Sequence, residues 1–162
     1  MTYTMQRTTV LNGIGALCAL ALGLRVNIAA AATVTHSDDE WRRLLPPESY
    51  AVLRQAATER PFSSPLDEEK RPGVYSCRAC DLALFSSKTK YDSGSGWPSF
   101  WAPLPNAVAT KADYELGIPR TEVHCRRCES HLGHVFDDGP KPTGLRYCMN
   151  GVALRFRTQA AG

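Results

Sequence analysis

The chain has 162 residues, of which 43% are hydrophobic, and its formal net charge is +3. This length and apolar content are typical of one globular domain with a core of its own, and no tract of biased composition indicates disorder. The small excess of basic residues does not favour binding to a nucleic acid.

Residues 1–32 differ in composition from the rest of the chain. They contain no acidic residue, an apolar run from Val10 to Leu24, and an alanine-rich end. This layout predicts an export signal that is cleaved near Ala32. The alternatives are an uncleaved anchor and an organelle transit peptide, the latter because the segment is acid-poor and carries Arg7 and Arg25.

Cleavage of the signal would also change the charge of the chain. Residues 1–32 hold two of the 19 basic residues and none of the 16 acidic ones, which leaves 17 against 16 and a net charge of +1. We therefore expect an exported protein, in a bacterial periplasm, that binds no nucleic acid and has no stable membrane association once the signal is removed.

Two short helices are predicted at the start of the remaining chain. Ser37 with Glu40 three residues later forms a capping box, and Pro47 is suited to the first position of a second helix. The apolar face of that second helix is predicted to consist of Tyr50, Val52, Leu53 and Ala56.

From Gly73 onwards, short apolar runs alternate with turn residues, and none is long enough for a typical helix. Near the end, Val152, Leu154 and Phe156 alternate with Ala153 and two arginines, which predicts a strand with one buried face. The segment "DDGPKPTG" is predicted to be a rigid loop. The fold class is therefore mainly β and antiparallel, in one domain, after a helical entry.

Four of the six cysteines occur as two C-x-x-C pairs, "CRAC" and "CRRC". Two such turns supply four thiolates for a tetrahedral Zn²⁺ site, and four thiolates leave no open position for catalysis. The periplasm and the cell exterior also favour disulfides, so disulfide bonds are an alternative for an exported protein. A single C-x-x-C is in addition compatible with a redox pair. We expect one structural zinc ion held by Cys77, Cys80, Cys125 and Cys128.

Cys148 stands apart from these pairs. An isolated cysteine is often an inert core residue. In a strand, however, Arg146 and Asn150 would share its face, and an arginine there favours the thiolate. His131 and His134 precede it in "HLGHVF", and "SGSGWPSFW" brings Trp97 and Trp101 onto a tight turn, as a core cluster or as an apolar pocket wall.

Taken together, several separated motifs carry a family resemblance. In chain order, the segments "ERPFSSPLD", "CRAC", "YDSGSGWPSFW", "CRRC" and "HLGHVFDDGPKPTGLRYCMNG" resemble the signature of the B-type methionine-R-sulfoxide reductases (MsrB). The similarity runs from Ser37 through Phe156, within a predicted catalytic domain at 37–159.

The resemblance implies a fold of two antiparallel β-sheets with short N-terminal helices. It implies that Cys148 is the nucleophile and that Trp97 packs against the substrate methyl group. The remaining implied residues are His131 and Asn150 in catalysis, His134, Phe136 and Arg146 in substrate binding, and the four paired cysteines as zinc ligands.

The implied reaction is reduction of methionine-R-sulfoxide, mainly in oxidised proteins or peptides. The Cys148 thiolate attacks the sulfoxide sulfur, an acid such as His131 protonates the oxygen, and Cys148 becomes a sulfenic acid. Many members have a resolving cysteine two residues before the tryptophan, where this chain has Ser95. We therefore expect an external reductant, either thioredoxin-like or a small thiol.

Two other functions compete with this one. The chain is alternatively a zinc-ribbon-like interaction module in which Cys148 is a core residue, or its C-x-x-C pairs are thiol–disulfide exchange centres. Loss of activity in Cys148→Ser and one tightly held zinc per chain separate the enzyme from both.

Overall fold

A computed structural model describes residues 34–115 and 117–159. The predicted export signal and Cys18 lie outside the described residues. Across those two ranges, no helix is both long and apolar enough to cross a membrane.

The two predicted helices are present, as α1 (Asp38–Leu44) and α2 (Pro47–Gln55). The capping box is confirmed, because the Ser37 hydroxyl accepts from the Glu40 N–H and the Glu40 carboxylate accepts from the Ser37 N–H. The prediction for Ala56 was wrong: this residue follows α2 in a left-handed conformation (φ 55°) and is exposed, so it ends the helix and does not extend its apolar face.

The strands form two antiparallel sheets, which confirms the predicted fold class. A three-stranded sheet has the order β2-β1-β9, and a six-stranded sheet has the order β3-β4-β8-β7-β6-β5. The strands are β1 (Gly73–Cys77), β2 (Ala83–Ser86), β3 (Lys90–Tyr91), β4 (Ser99–Phe100), β5 (Val108–Asp113), β6 (Arg120–Cys125), β7 (His131–Phe136), β8 (Arg146–Met149) and β9 (Leu154–Thr158).

The last strand begins later than its alternating pattern predicts. Gly151–Ala153 forms a short 3-10 turn, so Val152 precedes the strand, and Ala153 is fully buried although the pattern placed it on the open face. The alternation holds only from Leu154 onwards, because the chain must turn between β8 in one sheet and β9 in the other.

Aromatic side chains fill the core between the two sheets. Phe100 on β4 stacks on Phe85 of β2 at a centroid distance of 4.4 Å and meets the edge of Tyr75 on β1 at 4.9 Å. All three residues are fully buried. Since buried aromatic residues contribute large apolar areas, this cluster joins the small sheet to the strands that carry the site.

Candidate active site and metal centre

The four paired cysteines come together at one point. Their sulfur atoms all lie within 4.8 Å of one another, and three of the four residues are buried. The Sγ–Sγ distances are 3.7 Å for Cys77–Cys128 and 3.5 Å for Cys80–Cys125. Tetrahedral zinc with Zn–S bonds of about 2.3 Å requires sulfurs about 3.8 Å apart, whereas a disulfide requires about 2.05 Å. The four cysteines are therefore placed to hold a metal ion, and they are not disulfide-bonded.

The two cysteine turns have the same backbone geometry. After each pair the next residue is left-handed, Asp81 at φ 58° and Glu129 at φ 57°, and its N–H donates to the carbonyl of the first cysteine at 2.8 and 2.9 Å. In both turns the N–H of the first cysteine donates to the carbonyl five residues on, at 2.8 Å for Cys77 and 2.9 Å for Cys125. Each turn thus orients its own pair of thiols by local backbone hydrogen bonds, at the ends of β1 and β6.

Cys148 lies in the middle of the large sheet, on β8. Its backbone is paired with Ser99 on β4 and with His134 on β7. Gly133 allows this packing, because a Cβ at that position would lie 2.1 Å from the Cys148 carbonyl oxygen. Beside it opens a cavity of about 150 Å³. The cavity is lined by Thr58, Trp97, Arg120, Gly133, His134, Phe136, Cys148 and Asn150.

The Cys148 thiol is half-buried, and its surroundings affect its ionisation in two opposite ways. Burial raises the pKa of the Cys148 thiol. The Ser95 hydroxyl at 3.7 Å, the Arg146 charge and the Ser99 hydroxyl act against that rise by favouring the thiolate. The resting form is therefore the neutral thiol, with groups in place that stabilise the anion.

Trp97 and Phe136 form the apolar wall of this cavity. The indole Nε1–H of Trp97 donates to the Glu59 carbonyl at 3.1 Å, which fixes the ring. Trp97 is thus a pocket wall, one of the two alternatives left open by the sequence. Trp101 is half-buried and does not line the cavity.

Asn150 contributes a polar part of the cavity lining and is 3% exposed. Its Nδ2 donates to the Leu132 carbonyl at 3.1 Å, and its Oδ1 accepts from the Glu59 N–H at 2.9 Å. The Glu59 carboxylate in turn accepts from the N–H groups of Gly151 and Val152. The backbone of Glu59 therefore fixes Trp97 and Asn150 relative to each other. Its carboxylate holds the backbone that follows Asn150.

His134 reaches the cavity with a carboxylate behind it. Its Nε2 lies 2.7 Å from Oδ2 of Asp113, which also accepts from Nη2 of Arg120 at 2.6 Å. The N–H of Glu115, the His134 ring and the Arg120 charge together lower the pKa of Asp113 from 3.8 to about 2. Asp113 is therefore ionised at neutral pH, and Nε2 of His134 carries a proton that it donates to this carboxylate.

His131 lies in an adjoining cavity of about 180 Å³, which also includes His134 and Arg120. Its Nδ1 lies 3.0 Å from Oε1 of Glu122, and Lys111 binds Oε2 of the same carboxylate at 3.0 Å. Burial raises the pKa of Glu122, but the bonds from His131 and Lys111 outweigh it and hold that pKa below its usual value.

Burial also lowers the pKa of His131, so its ring is neutral at pH 7. With an ionised Glu122 at Nδ1, the proton lies on Nδ1 and Nε2 is left as an acceptor. Nε2 is buried and has no hydrogen-bond partner within residues 34–115 and 117–159. The rings of His131 and His134 are edge to face, with centroids 5.4 Å apart.

Arg146 shares the Cys148 side of β8 but lines a different cavity, with Tyr91, Ser95 and Asp138. Its guanidinium forms a bidentate pair with the Asp138 carboxylate at 2.8 and 2.7 Å and lies 4.4 Å from the Phe136 ring centre. Arg146 therefore acts on the thiol through its charge and supports the Phe136 wall from outside.

Comparison with known proteins identifies the family. The model of the SelR domain matches residues 45–158 of this chain. A protein named peptide methionine sulfoxide reductase MsrB from Pseudomonas putida strain W619 is 56% identical over 120 residues, which cover 74% of this chain and 90% of the relative. The chain belongs to the MsrB family.

Further MsrB relatives come from distant organisms. The protein of that name from Methanosarcina barkeri is 53% identical over 134 residues, covering 82% of this chain and 94% of the relative. The one from Leifsonia xyli is 56% identical over 128 residues, covering 78% and 92%. Among solved structures, the crystal structure of the Mis18 'Yippee-like' domain aligns with 56% of this chain and all of its own, at a TM-score of 0.46 and 17% identity.

The structure brings together at the Cys148 cavity most of the site residues that the sequence indicated. Trp97, His134, Phe136 and Asn150 line it, whereas His131 and Arg146 line adjoining cavities. Sequence reasoning missed a further set of contributors. These are Thr58, Glu59, Asp113, Arg120, Glu122 and Gly133.

Proposed function

We propose that this chain reduces methionine-R-sulfoxide, mainly in oxidised proteins and peptides, with Cys148 as its nucleophile. The observation that carries this proposal is the half-buried Cys148 thiol in a cavity with an apolar aromatic wall and a polar wall. A sulfoxide has the same two-sided character, since it combines an apolar methyl group with a polar S=O oxygen.

The cavity orients the substrate in one way. The sulfoxide methyl group packs on the Trp97 ring, and the oxygen turns towards His134 and Asn150. With methyl and oxygen fixed, only one epimer presents its sulfur to the Cys148 thiolate. The size of the cavity, about 150 Å³, is suited to the end of a methionine side chain, which leaves the peptide backbone outside.

The chemical step transfers the sulfoxide oxygen to Cys148. The thiolate attacks the sulfoxide sulfur, the S–O bond breaks as the oxygen moves to the cysteine, and methionine leaves. The oxygen must be protonated to leave its sulfur. His134 is the histidine in the cavity, and its Nε2–H donates to the Asp113 carboxylate. His131, in the adjoining cavity, has an acceptor Nε2 through which it relays protons by way of water.

The product of this step is a sulfenic acid on Cys148, which must be reduced. The other four cysteines of the described residues are gathered at the metal centre. We propose that an external thiol, small or thioredoxin-like, forms a mixed disulfide with Cys148 and releases water. A second thiol then frees Cys148 and leaves with the first as a disulfide.

We also propose that the metal is zinc and that it is structural. Four thiolates at these separations match its preferred ligands and geometry, and they leave no position for a substrate. For residues 1–32, the proposal remains a cleaved export signal, and thus a periplasmic enzyme that repairs oxidised proteins. The apolar run and the alanine-rich end support it.

The experiment that tests the activity uses the full chain with separate R- and S-sulfoxide peptides and a dithiol reductant. We expect turnover of the R-epimer alone and its loss in Cys148→Ser, with metal content retained. Turnover by Cys148→Ser would contradict the assignment of the nucleophile. Without reductant, a dimedone adduct on Cys148 is expected, and a stable internal disulfide that includes Cys148 would contradict the external-thiol step.

A further inference from the structure

Three serine hydroxyls form a chain that leads away from Cys148. Ser95 Oγ lies 3.7 Å from Cys148 Sγ, and Ser93 Oγ lies 2.8 Å from Ser95 Oγ. Ser93 Oγ lies 2.7 Å from Ser99 Oγ, and the Ser99 hydroxyl donates to the Trp97 carbonyl at 3.0 Å. The chain therefore connects the thiol to a backbone carbonyl through hydroxyl groups alone.

The carbonyl at its end gives this chain a direction. A hydroxyl has one proton to donate, and a carbonyl oxygen only accepts. Since Ser99 donates to Trp97, it must accept from Ser93, and Ser93 in turn accepts from Ser95. The Ser95 proton is then engaged, so its oxygen accepts the S–H of a neutral Cys148. With the hydrogen bonds in this direction, every hydroxyl proton of the three serines and the S–H of the resting thiol has an acceptor.

The same atoms are also suited to the thiolate. If Cys148 loses its proton, the Ser95 hydroxyl can rotate to donate to the sulfur anion, and the Ser93 hydroxyl can rotate to donate to Ser95. The Ser99 hydroxyl then turns from the Trp97 carbonyl to donate to Ser93, so that a proton remains between those two oxygens. No heavy atom has to move, because a hydroxyl proton turns about its C–O bond. Ser99 is fully buried opposite Cys148 on β4, which fixes the inner end of the chain.

We propose that Ser95 is a positioning residue whose hydroxyl changes from acceptor to donor when Cys148 ionises, and so stabilises the nucleophile. This inference rests on the proposed function of Cys148. The other titratable or charged groups around the sulfur are Arg146 on its own strand, His134 opposite it on β7, and Tyr91 on β3. Arg120 on β6 lines the same cavity and is bound to Asp113. Arg146 remains bound to Asp138, and Ser95 provides a hydroxyl contact whose donor can turn towards the sulfur.

The test measures the reactivity of Cys148 directly. The full-length protein is alkylated with iodoacetamide between pH 6 and 10, and peptide mapping by mass spectrometry gives the rate at Cys148. In Ser95→Ala we expect the midpoint of the pH profile to rise by about 0.5 to 1 unit and the rate at pH 7 to fall about three- to tenfold. Ser95→Thr, which retains a hydroxyl, should restore most of the rate.

Matched variants separate this effect from a general disturbance of the loop. Ser93→Ala leaves the Ser95 hydroxyl in place and should give a smaller shift than Ser95→Ala. Ser86→Ala removes a hydroxyl on β2, in the other sheet, which accepts from the Lys88 N–H, and should not change the reactivity of Cys148. Ser95→Gly provides a second hydroxyl-free variant if Ser95→Ala does not fold, since glycines flank the position.

Two outcomes would overturn the inference: a wild-type alkylation profile in the variants without a Ser95 hydroxyl, or equal shifts in Ser95→Ala and Ser93→Ala. In sulfoxide reduction, Ser95→Ala should lower kcat with little change in KM. Because alkylation needs no sulfoxide, a failure of the proposed function appears separately, as absent turnover in the wild type. The shift in Cys148 reactivity would then stand on its own.

Discussion

Asp113 lies on β5, three strands away from Cys148 on β8, yet its replacement by asparagine should slow sulfoxide reduction. The carboxylate lies 2.7 Å from Nε2 of His134, and the two side chains are only 10% and 11% exposed. In so sheltered a pair, a hydrogen bond to a charged group contributes about 1.5 to 3 kcal/mol, more than the 0 to 1 kcal/mol of an exposed pair. Asparagine keeps one acceptor oxygen but no charge, so the hydrogen bond that positions His134 loses part of that contribution.

We take about 1.4 kcal/mol as the loss, which corresponds to about a tenfold decrease in kcat/KM. The assay compares Asp113→Asn with the wild type on an R-sulfoxide peptide at pH 7, with kcat and KM determined separately. The loss should appear in kcat, because the proposed role of His134 is to act on the sulfoxide oxygen as the S–O bond breaks. Asp38→Asn is the matched control, since Asp38 also binds an arginine but lies on α1. Equal rates for Asp113→Asn and the wild type would refute this reasoning.

Three further outcomes follow from the site and the metal centre. Trp97→Ala should lower kcat/KM at least about tenfold through loss of the contact with the substrate methyl group, while Trp97→Phe should retain most of the activity. Steady-state kinetics measure both, and equal losses in the two variants would contradict the aromatic contact. Cys77→Ser should reduce bound metal well below one ion per chain and lower the thermal midpoint, as measured by elemental analysis and calorimetry, and full metal content would count against a four-thiolate site. The pKa of Asp113 is lowered to about 2, so its stabilising contribution is present above pH 3.8 and is lost as the pH falls towards 2. The difference in unfolding free energy between wild type and Asp113→Asn should therefore shrink between pH 5 and pH 2.5 in urea titrations, and a constant difference would contradict the lowered pKa.

Local features of the sequence predicted local features of the structure well. The capping box at Ser37 and the two cysteine turns each depend on residues at most five apart, so their geometry follows from spacing. The predictions for Ala56 and for the start of β9 were wrong for a shared reason. Both lie at the end of an element, where the need to turn the chain overrides the apolar pattern.

The carboxylates behind the histidines could not have been predicted in this way. Glu122 and Asp113 reach His131 and His134 only because β5, β6 and β7 pair in a particular register. A shift of one residue would move these side chains to the other face of the sheet, and β6 and β7 contain an irregularity next to His124. A glutamate within the strand "RTEVHC" was the available signal, since a charged residue in a buried strand requires a partner.

Glu59 is a second case of the same kind. It lies in the irregular segment after α2, and its partners Trp97 and Asn150 are 38 and 91 residues away. No periodicity marks such a residue, because its role depends on three chain segments meeting. The lining of the cavity could thus be predicted in part from the sequence, and the groups that position this lining could not.

The most direct test of the central claim is a single turnover without reductant. The wild type, mixed with an excess of an R-sulfoxide peptide, should form about one equivalent of methionine per chain, and Cys148 should carry a sulfenic acid that dimedone traps. The S-epimer should give no methionine. Methionine formation by Cys148→Ser, or an equal yield from both epimers, would contradict the account.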